Sequence, residues 1–406
     1  MTPKVTDLYN DHAILESISQ ALYKKEPLTG PNGVITNLIK KAMEATLEGE
    51  LDAHLQEEAL EKGTNRKNGK SRKQVTSRYG TFELETPRDR NSSFSPQLVK
   101  KRQTIITDDI DAKILRLYST GTSYEDIAHH IEDLYGLEIS HGSISAITDR
   151  LLPEIIEWRN RPLESTYAVI FFDAMFYKIR EEGTVKSKAV YNIMGINKEG
   201  LKDILGFYIC DTEGATFWLS VLNDLKQRGV QDILIACIDG LKGFPQAIAS
   251  AFPHTEIQLC IVHQIRHTLK LIPHKHKRAF IADLKNVYKA SSKENAETQL
   301  QLLMERWPHY TAALKSWVDN WENLSTYFKF SQQIRTLIYT TNAIEGFHRQ
   351  IRKYTKTKGA FSSENALLKI LFCAINNISS KWSAPLYNWI ATLAELELHF
   401  PGRLLP

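Results

Sequence analysis

Tyr167-Ala-Val-Ile-Phe-Phe-Asp173 is a run of aromatic and aliphatic residues closed by an acid. Its β-branched and aromatic content reads as a buried strand. A carboxylate at its end is costly unless it lies at an edge or holds a cation. A second stretch, Asp232-Ile-Leu-Ile-Ala-Cys-Ile-Asp239-Gly240, has the same form, and the glycine beside Asp239 lets a ligand come close to the backbone. An Asp at a strand end also serves as a helix cap, and for either acid alone that reading stands level with metal binding. Asp203, Asp211 and Asp232 sit beside turns and read as caps.

Working outward, strands are expected at 168–172, 188–196 and 204–210, joined by hairpin turns at Glu182-Gly183 and 197–200. A helix at 216–228, a strand at 233–238, a helix at 243–251 and a strand near 255–262 follow. Three antiparallel strands and then alternating helices and strands make an α/β domain with a mixed sheet, the order expected of a ribonuclease-H-like fold. From His263 to about Lys329 the pattern is helical, with Trp307, Trp317 and Trp321 and no clear strand. That is too long for a connection and reads as an all-helical insertion. Trp317 and Trp321, one turn apart, are expected in its core, with base stacking as the lesser alternative. A helix carrying Glu345 resumes from residue 340, and further helices cover 365–377 and 382–398.

The N-terminal part is helical from 9 to 58. The stretch Arg66-Lys67-Asn-Gly-Lys70-Ser-Arg72-Lys73 reads as a loop or basic arm beside a small β element at 81–86. Between 108 and 156 lie three helical patterns. The second is capped by Thr122 or Ser123, and the third has Ser140, His141, Ser143, Ser145 and Arg150 on its polar face. That spacing suits a helix-turn-helix whose last helix enters a major groove, although such units also serve as plain structural modules. The expected divisions are 1–103, a helix-turn-helix at 104–160, the first part of the core at 161–262, the insertion at 263–335, and 336–406 with the Glu345 helix.

Net charge is only +4, but its distribution is uneven. From Lys62 to Arg102 twelve Lys/Arg face three acids, so this segment is a candidate phosphate contact. Arg266, Lys270, Lys275, Lys277, Arg278, Lys285 and Lys289 face Asp283 alone, and Arg349, Arg352, Lys353, Lys356 and Lys358 form a compact third group. One such run is a solvated face as readily as a binding site; three point to a nucleic-acid backbone. The four cysteines are widely spaced and read as reduced core thiols. No apolar run reaches the length of a membrane span, so a cytoplasmic, nucleoid-associated protein is expected.

Glu345 follows Asn342 by three residues, so a capping-box glutamate and a metal ligand are both open readings. The motifs Phe172-Asp173-Ala174, Cys237-Ile-Asp239-Gly-Leu-Lys-Gly243, Cys260-Ile-Val-His263 and Thr340-Thr-Asn-Ala-Ile-Glu345, in this order and spacing, resemble the bacterial Mutator-type insertion-sequence transposases, a family of DDE enzymes. The resemblance spans essentially the whole chain.

It implies a ribonuclease-H-like catalytic domain in which Asp173, Asp239 and Glu345 hold two Mg²⁺ (or Mn²⁺) ions, with no nucleotide cofactor. The implied reaction nicks a transposon end and joins the freed 3′-OH to DNA by way of a circular intermediate. The implied partners are double-stranded DNA with terminal inverted repeats, target DNA and a second copy of the chain; no membrane is involved. Cys260 and His263 match an accessory signature, with His263 expected to touch DNA or the carboxylates and a satisfied buried pair as the alternative. Arg66, Lys67, Lys70, Arg72, Lys73, Ser140, His141, Ser143, Arg150, Arg266, Lys270, Arg349, Arg352, Lys353 and Lys356 are the candidate DNA contacts. Two other functions fit parts of the pattern: a metal-dependent nuclease or resolvase without strand transfer, and a DNA-binding regulator whose α/β domain oligomerises.

Overall fold

The computed structural model describes residues 11–28, 30, 32–61, 65–77, 79–101, 108–135, 137–210, 214–241, 243–339, 342–356 and 358–404. Two compact units are present: Met1–Tyr118 with Thr122–Thr148, and Ser119–Gly121 with Asp149–Pro406. The first contains helices α1 (Asp11–Tyr23) and α2 (Val34–Glu61), an antiparallel hairpin of β1 (Lys67–Ser77) and β2 (Gly80–Asp89), and helices α3 (Asp108–Ser119), α4 (Tyr124–Tyr135) and α5 (His141–Thr148). Leu47 of α2 packs with Val75, Phe82, Leu84 and Val99 to give this region its own core.

The basic stretch expected as a loop or arm is largely strand β1. Its charges are partnered within the unit, which is why pairing wins over an extended arm. Arg72 lies opposite Glu85 and reaches it at 3.0 Å, while Lys67 meets Asp52 at 2.5 Å and Lys70 meets Glu48 at 2.6 Å on α2. Helices α3 to α5 bury Ile110, Ile114, Ile127, Ile131, Ile144 and Ile147. Ser123 caps α4 by accepting from the Asp126 amide at 3.1 Å, and the Tyr124 hydroxyl meets Thr148 Oγ1 at 3.0 Å. Helix α5 ends at Thr148, so Arg150 falls beyond it.

The second unit begins with α6 (Leu151–Asn160) and then builds β3 (Thr166–Glu181), β4 (Thr184–Asn197), β5 (Lys202–Cys210), α7 (Ala215–Gln227), β6 (Asp232–Ile238), α8 (Phe244–Ala251) and β7 (Glu256–Leu259). The sheet order is β5-β4-β3-β6-β7, antiparallel through β5, β4 and β3 and parallel from β3 to β7. This is a mixed sheet with flanking helices, consistent with the expected order. The β3–β4 turn falls at Glu182 and Gly183, both at positive φ (48° and 78°), the geometry that matches the twist of paired strands.

Strand β3 runs past its expected end. After Asp173 the buried residues Met175, Tyr177 and Ile179 alternate with exposed Phe176, Lys178 and Arg180, a period of two that sustains the hairpin. Asp173 is therefore a mid-strand residue of the β3–β4 ladder. What ends near it is the pairing of β3 with β6. The last pair is Phe171 with Cys237, and Asp173 and Asp239 each stand two residues further on.

Neighbouring strand residues face opposite ways. Phe172 meets Phe244 of α8 edge-on at 5.1 Å, and Phe244 stacks on Trp218 of α7 at 3.7 Å. That face of the sheet is an aromatic core, which leaves Asp173 to the other face. Asp203 and Asp232, read as caps, are instead ion-paired: Nη2 of Arg161 donates to both oxygens of Asp203 (2.9 and 3.0 Å), and Nε and Nη2 of Arg403 fork onto the two oxygens of Asp232 (2.8 and 2.7 Å). Asp211 lies outside the described residues.

Beyond β7 the chain is helical: α9 (Ile261–Lys270), α10 (His274–Tyr288), α11 (Lys293–Arg306), α12 (Thr311–Asp319), α13 (Trp321–Leu324) and α14 (Gln332–Ile338). Trp317 is fully buried and donates to Thr268 Oγ1 at 2.8 Å, and the Trp307 indole donates to Asp283 at 2.8 Å. The chain then returns to the sheet in α15 (Asn342–Thr355), α16 (Glu364–Ser379) and α17 (Trp389–His399). All four cysteines are buried and free of disulfides. Among the described residues no helix is long and apolar enough to cross a membrane.

Candidate active site

Asp173 comes from the middle of β3, Asp239 from the residue after β6, and Glu345 from the first turn of α15. Asp173 is 4% exposed and accepts from the Ala174 amide at 2.9 Å. Burial pushes its carboxyl up, and the charge of Asp239 and more weakly that of Glu345 add to this; His263 and the Ala174 amide oppose it, leaving the group at about 7. Three acids distant in sequence thus feel one another at a buried position. Such a cluster is electrostatically unfavourable by itself and suited to a cation held among its oxygens.

Helix α9 lines the site. Cys260 is its N-cap, with Sγ accepting from the His263 amide at 3.4 Å. His263 Nδ1 lies 2.5 Å from Asp239 Oδ1, close but off the line of a good hydrogen bond. Burial alone would lower the His263 pKa; contact with Asp239 and Cys260 outweighs it and raises the imidazole to about 11. One turn on, Arg266 Nη2 donates to Glu345 Oε1 at 2.8 Å. His263 and Arg266 of α9 therefore each hold one acid. Thr340 and Thr341, which open the motif that ends in Glu345, lie outside the described residues.

Asp239, Cys260 and His263 bring an oxygen, a sulfur and a nitrogen within 4.8 Å of one another and form a group able to hold a metal ion. His54, Glu58 and Asp89 form another in the first unit, where Asn65 and Ser93 already engage Asp89 Oδ2. The carboxylates of Asp173, Asp239 and Glu345 are hard oxygen donors, the set that Mg²⁺ and Mn²⁺ prefer.

The chain matches the family described as Transposase, Mutator family, over residues 11–385. It belongs to that family of transposases. The transposase for insertion sequence element ISRM3 of Rhizobium meliloti (strain 1021) is 41% identical over 96% of this chain and 98% of its own length. That for IS905 of Lactococcus lactis subsp. lactis (strain IL1403) is 31% identical over 88% and 92%. As a family member this chain is a DNA transposase.

The candidate DNA contacts of this transposase are scattered over the chain. Arg349, Arg352, Lys353 and Lys356 are exposed on α15, the helix of Glu345, and Lys270 is exposed on α9. Ser140, His141 and Ser143 are exposed at the start of α5, and Arg150 is exposed next to α6. Arg66 is exposed, and Lys73 donates to the Lys100 carbonyl at 2.7 Å. Two residues of the site were not singled out in the sequence: Asn192 of β4, fully buried and paired in register with Asp173, and His348 of α15, 6% exposed. The signals were present. Asn192 is an amide inside an apolar strand, and His348 follows Glu345 by three positions, on the same helix face.

Proposed function

We propose that this transposase nicks each end of its element to free a 3′-OH and then joins that 3′-OH to DNA, with Asp173, Asp239 and Glu345 as the metal-holding triad. The observation that carries the proposal is the convergence of three acids from β3, the end of β6 and α15 on one site, where the Asp173 carboxyl is buried and is raised first by that burial and then by the charges of Asp239 and Glu345. In the first step water attacks phosphorus and the 3′-oxygen leaves; in the second the 3′-hydroxyl attacks a target phosphorus and displaces another 3′-oxygen. Two bound Mg²⁺ (or Mn²⁺) ions would supply activation of the attacking oxygen and stabilisation of the leaving one. The chain's own part is to set the three carboxylates, to keep His263 and Arg266 beside them, and to present cationic side chains to the phosphates on either side. No nucleotide is needed, because the first step is hydrolysis and the second exchanges one phosphodiester for another.

In this reading the mixed sheet is a ribonuclease-H-like core, residues 263–335 are an insertion that contacts DNA ends or a second subunit, and α3 to α5 form a helix-turn-helix with α5 in the major groove. The exposed, cationic face of α15 next to Glu345 supports a path for the cleaved strand. Terminal inverted repeats, target DNA and a homodimer with a circular DNA intermediate complete the proposal. The test is incubation with labelled element-end DNA and Mg²⁺. Wild type should release a 3′ end and join it to a second strand, and Asp239→Asn should lose both activities by on the order of 10³-fold or more while still binding DNA. DNA binding by wild type with no metal-dependent cleavage would leave a regulator; cleavage without joining would leave a nuclease.

A further inference from the structure

The acid cluster contains a buried polar pair that the triad does not account for. Asn192 stands opposite Asp173 in the antiparallel β3–β4 ladder, so the two side chains lie on the same face of the sheet. His348 descends on both from α15. Its Nε2 is 3.2 Å from Asn192 Nδ2, and its Nδ1 is 3.4 Å from Asp173 Oδ2. With the Asn192 amide set nitrogen-first toward the ring, that nitrogen donates, Nε2 offers a lone pair and the ring's single proton belongs on Nδ1; the amide turned over would place it on Nε2. The Nδ1 proton faces Asp173. The separation is long for a hydrogen bond, as contacts at unliganded sites commonly are.

We propose that His348, with its tautomer set by Asn192, is a positioning residue that orients the Asp173 carboxylate and ties the Glu345 helix to the sheet. The inference rests on the triad reading above. Orienting Asp173 is needed because only one of its oxygens has a backbone donor, the Ala174 amide on Oδ1, leaving Oδ2 for His348 to fix. The link to Glu345 follows from helix geometry: positions 345 and 348 share a face of α15, so one imidazole sets the distance between strand and helix acids. Partners of this kind, behind a ligand, typically change metal affinity by about 10–100-fold when removed.

The experiment uses the full-length protein labelled with ¹⁵N-histidine. Nitrogen shifts should identify His348, by comparison with His348→Ala, as a neutral ring protonated on Nδ1. Mn²⁺ binding, followed by EPR titration, should weaken about 10-fold or more in His348→Ala, with nicking of labelled end DNA falling in parallel. His348→Asn puts an amide nitrogen near the Nδ1 position and should restore most of both, whereas His348→Gln, which carries its nitrogen near the Nε2 position, should not. Asn192→Leu should let the Nε2–H tautomer appear in the spectrum. A His348 ring that is charged or protonated on Nε2 in wild type would overturn the proposal. So would equal behaviour of the Asn and Gln variants, or undiminished Mn²⁺ affinity in a folded His348→Ala. Asp173→Asn in the same titration separates the two layers: if it binds Mn²⁺ and nicks like wild type, the triad reading itself fails, whereas failure of the His348 variants alone leaves the triad standing.

Discussion

Single carboxylates in this chain take their roles from what surrounds them. Asp173 is raised because it is buried beside other acids, while Asp89 is held below the usual carboxylate range. Burial of Asp89 acts to raise it, but the side chains of Asn65 and Ser93 and the amides of Ser93 and Phe94 outweigh that effect. A depressed folded pKa means the unfolded state binds the proton more tightly, so the stabilisation is complete well above the unfolded value near 3.8 and fades as pH falls below it. Thermal melts from pH 6 down to about pH 2 should therefore show a loss in the first unit that Asp89→Asn largely removes, at the cost of a lower melting temperature near neutrality. Both acids were visible in the sequence, but only Asp173 sat in a run that suggested a site. Asp89 lay inside a basic segment, and that its oxygens meet Asn65 and Ser93 follows from the folding of the hairpin.

Among the elements, β3 shows how one strand divides its faces. Phe172 enters the aromatic stack with Phe244 and Trp218, and its neighbour Asp173 enters the acid cluster. Packing on one face thus fixes chemistry on the other. Phe244→Ala should cost about 3–5 kcal/mol of the second unit's stability, read from the urea midpoint by tryptophan fluorescence. The strand's existence, the hairpin turn at Glu182-Gly183 and the order of helices and strands were legible from period and turn chemistry. Its length was not: a charge after six apolar residues looks like an end, and only the β4 ladder, which gives Asp173 a partner in Asn192, carries the strand through it. The Arg66–Lys73 stretch failed the opposite way, since a local count of positive charges cannot see Glu48, Asp52 and Glu85 across the hairpin and α2.

For the whole molecule the useful quantity is how charge meets DNA. Among the described residues the exposed cations on α15 lack the close acidic partners that β1 has, so they should dominate the salt response. In anisotropy titrations with end DNA, Arg352→Ala and Lys353→Ala should each lower the slope of log K against log salt by about 1 if each neutralises one phosphate. Lys67→Ala, whose ammonium is held by Asp52, should change it less. Sequence alone determined the mixed α/β core and the helical run in the 106-residue step from Asp239 to Glu345, because strand and helix periods are written locally along the chain, while motif order only nominated the three acids. Tertiary structure alone decided which partners each acid has. His263 beside Asp239, Arg266 on Glu345, and His348 with Asn192 around Asp173 are contacts between segments far apart in sequence, and burial and hydrogen bonding act through space.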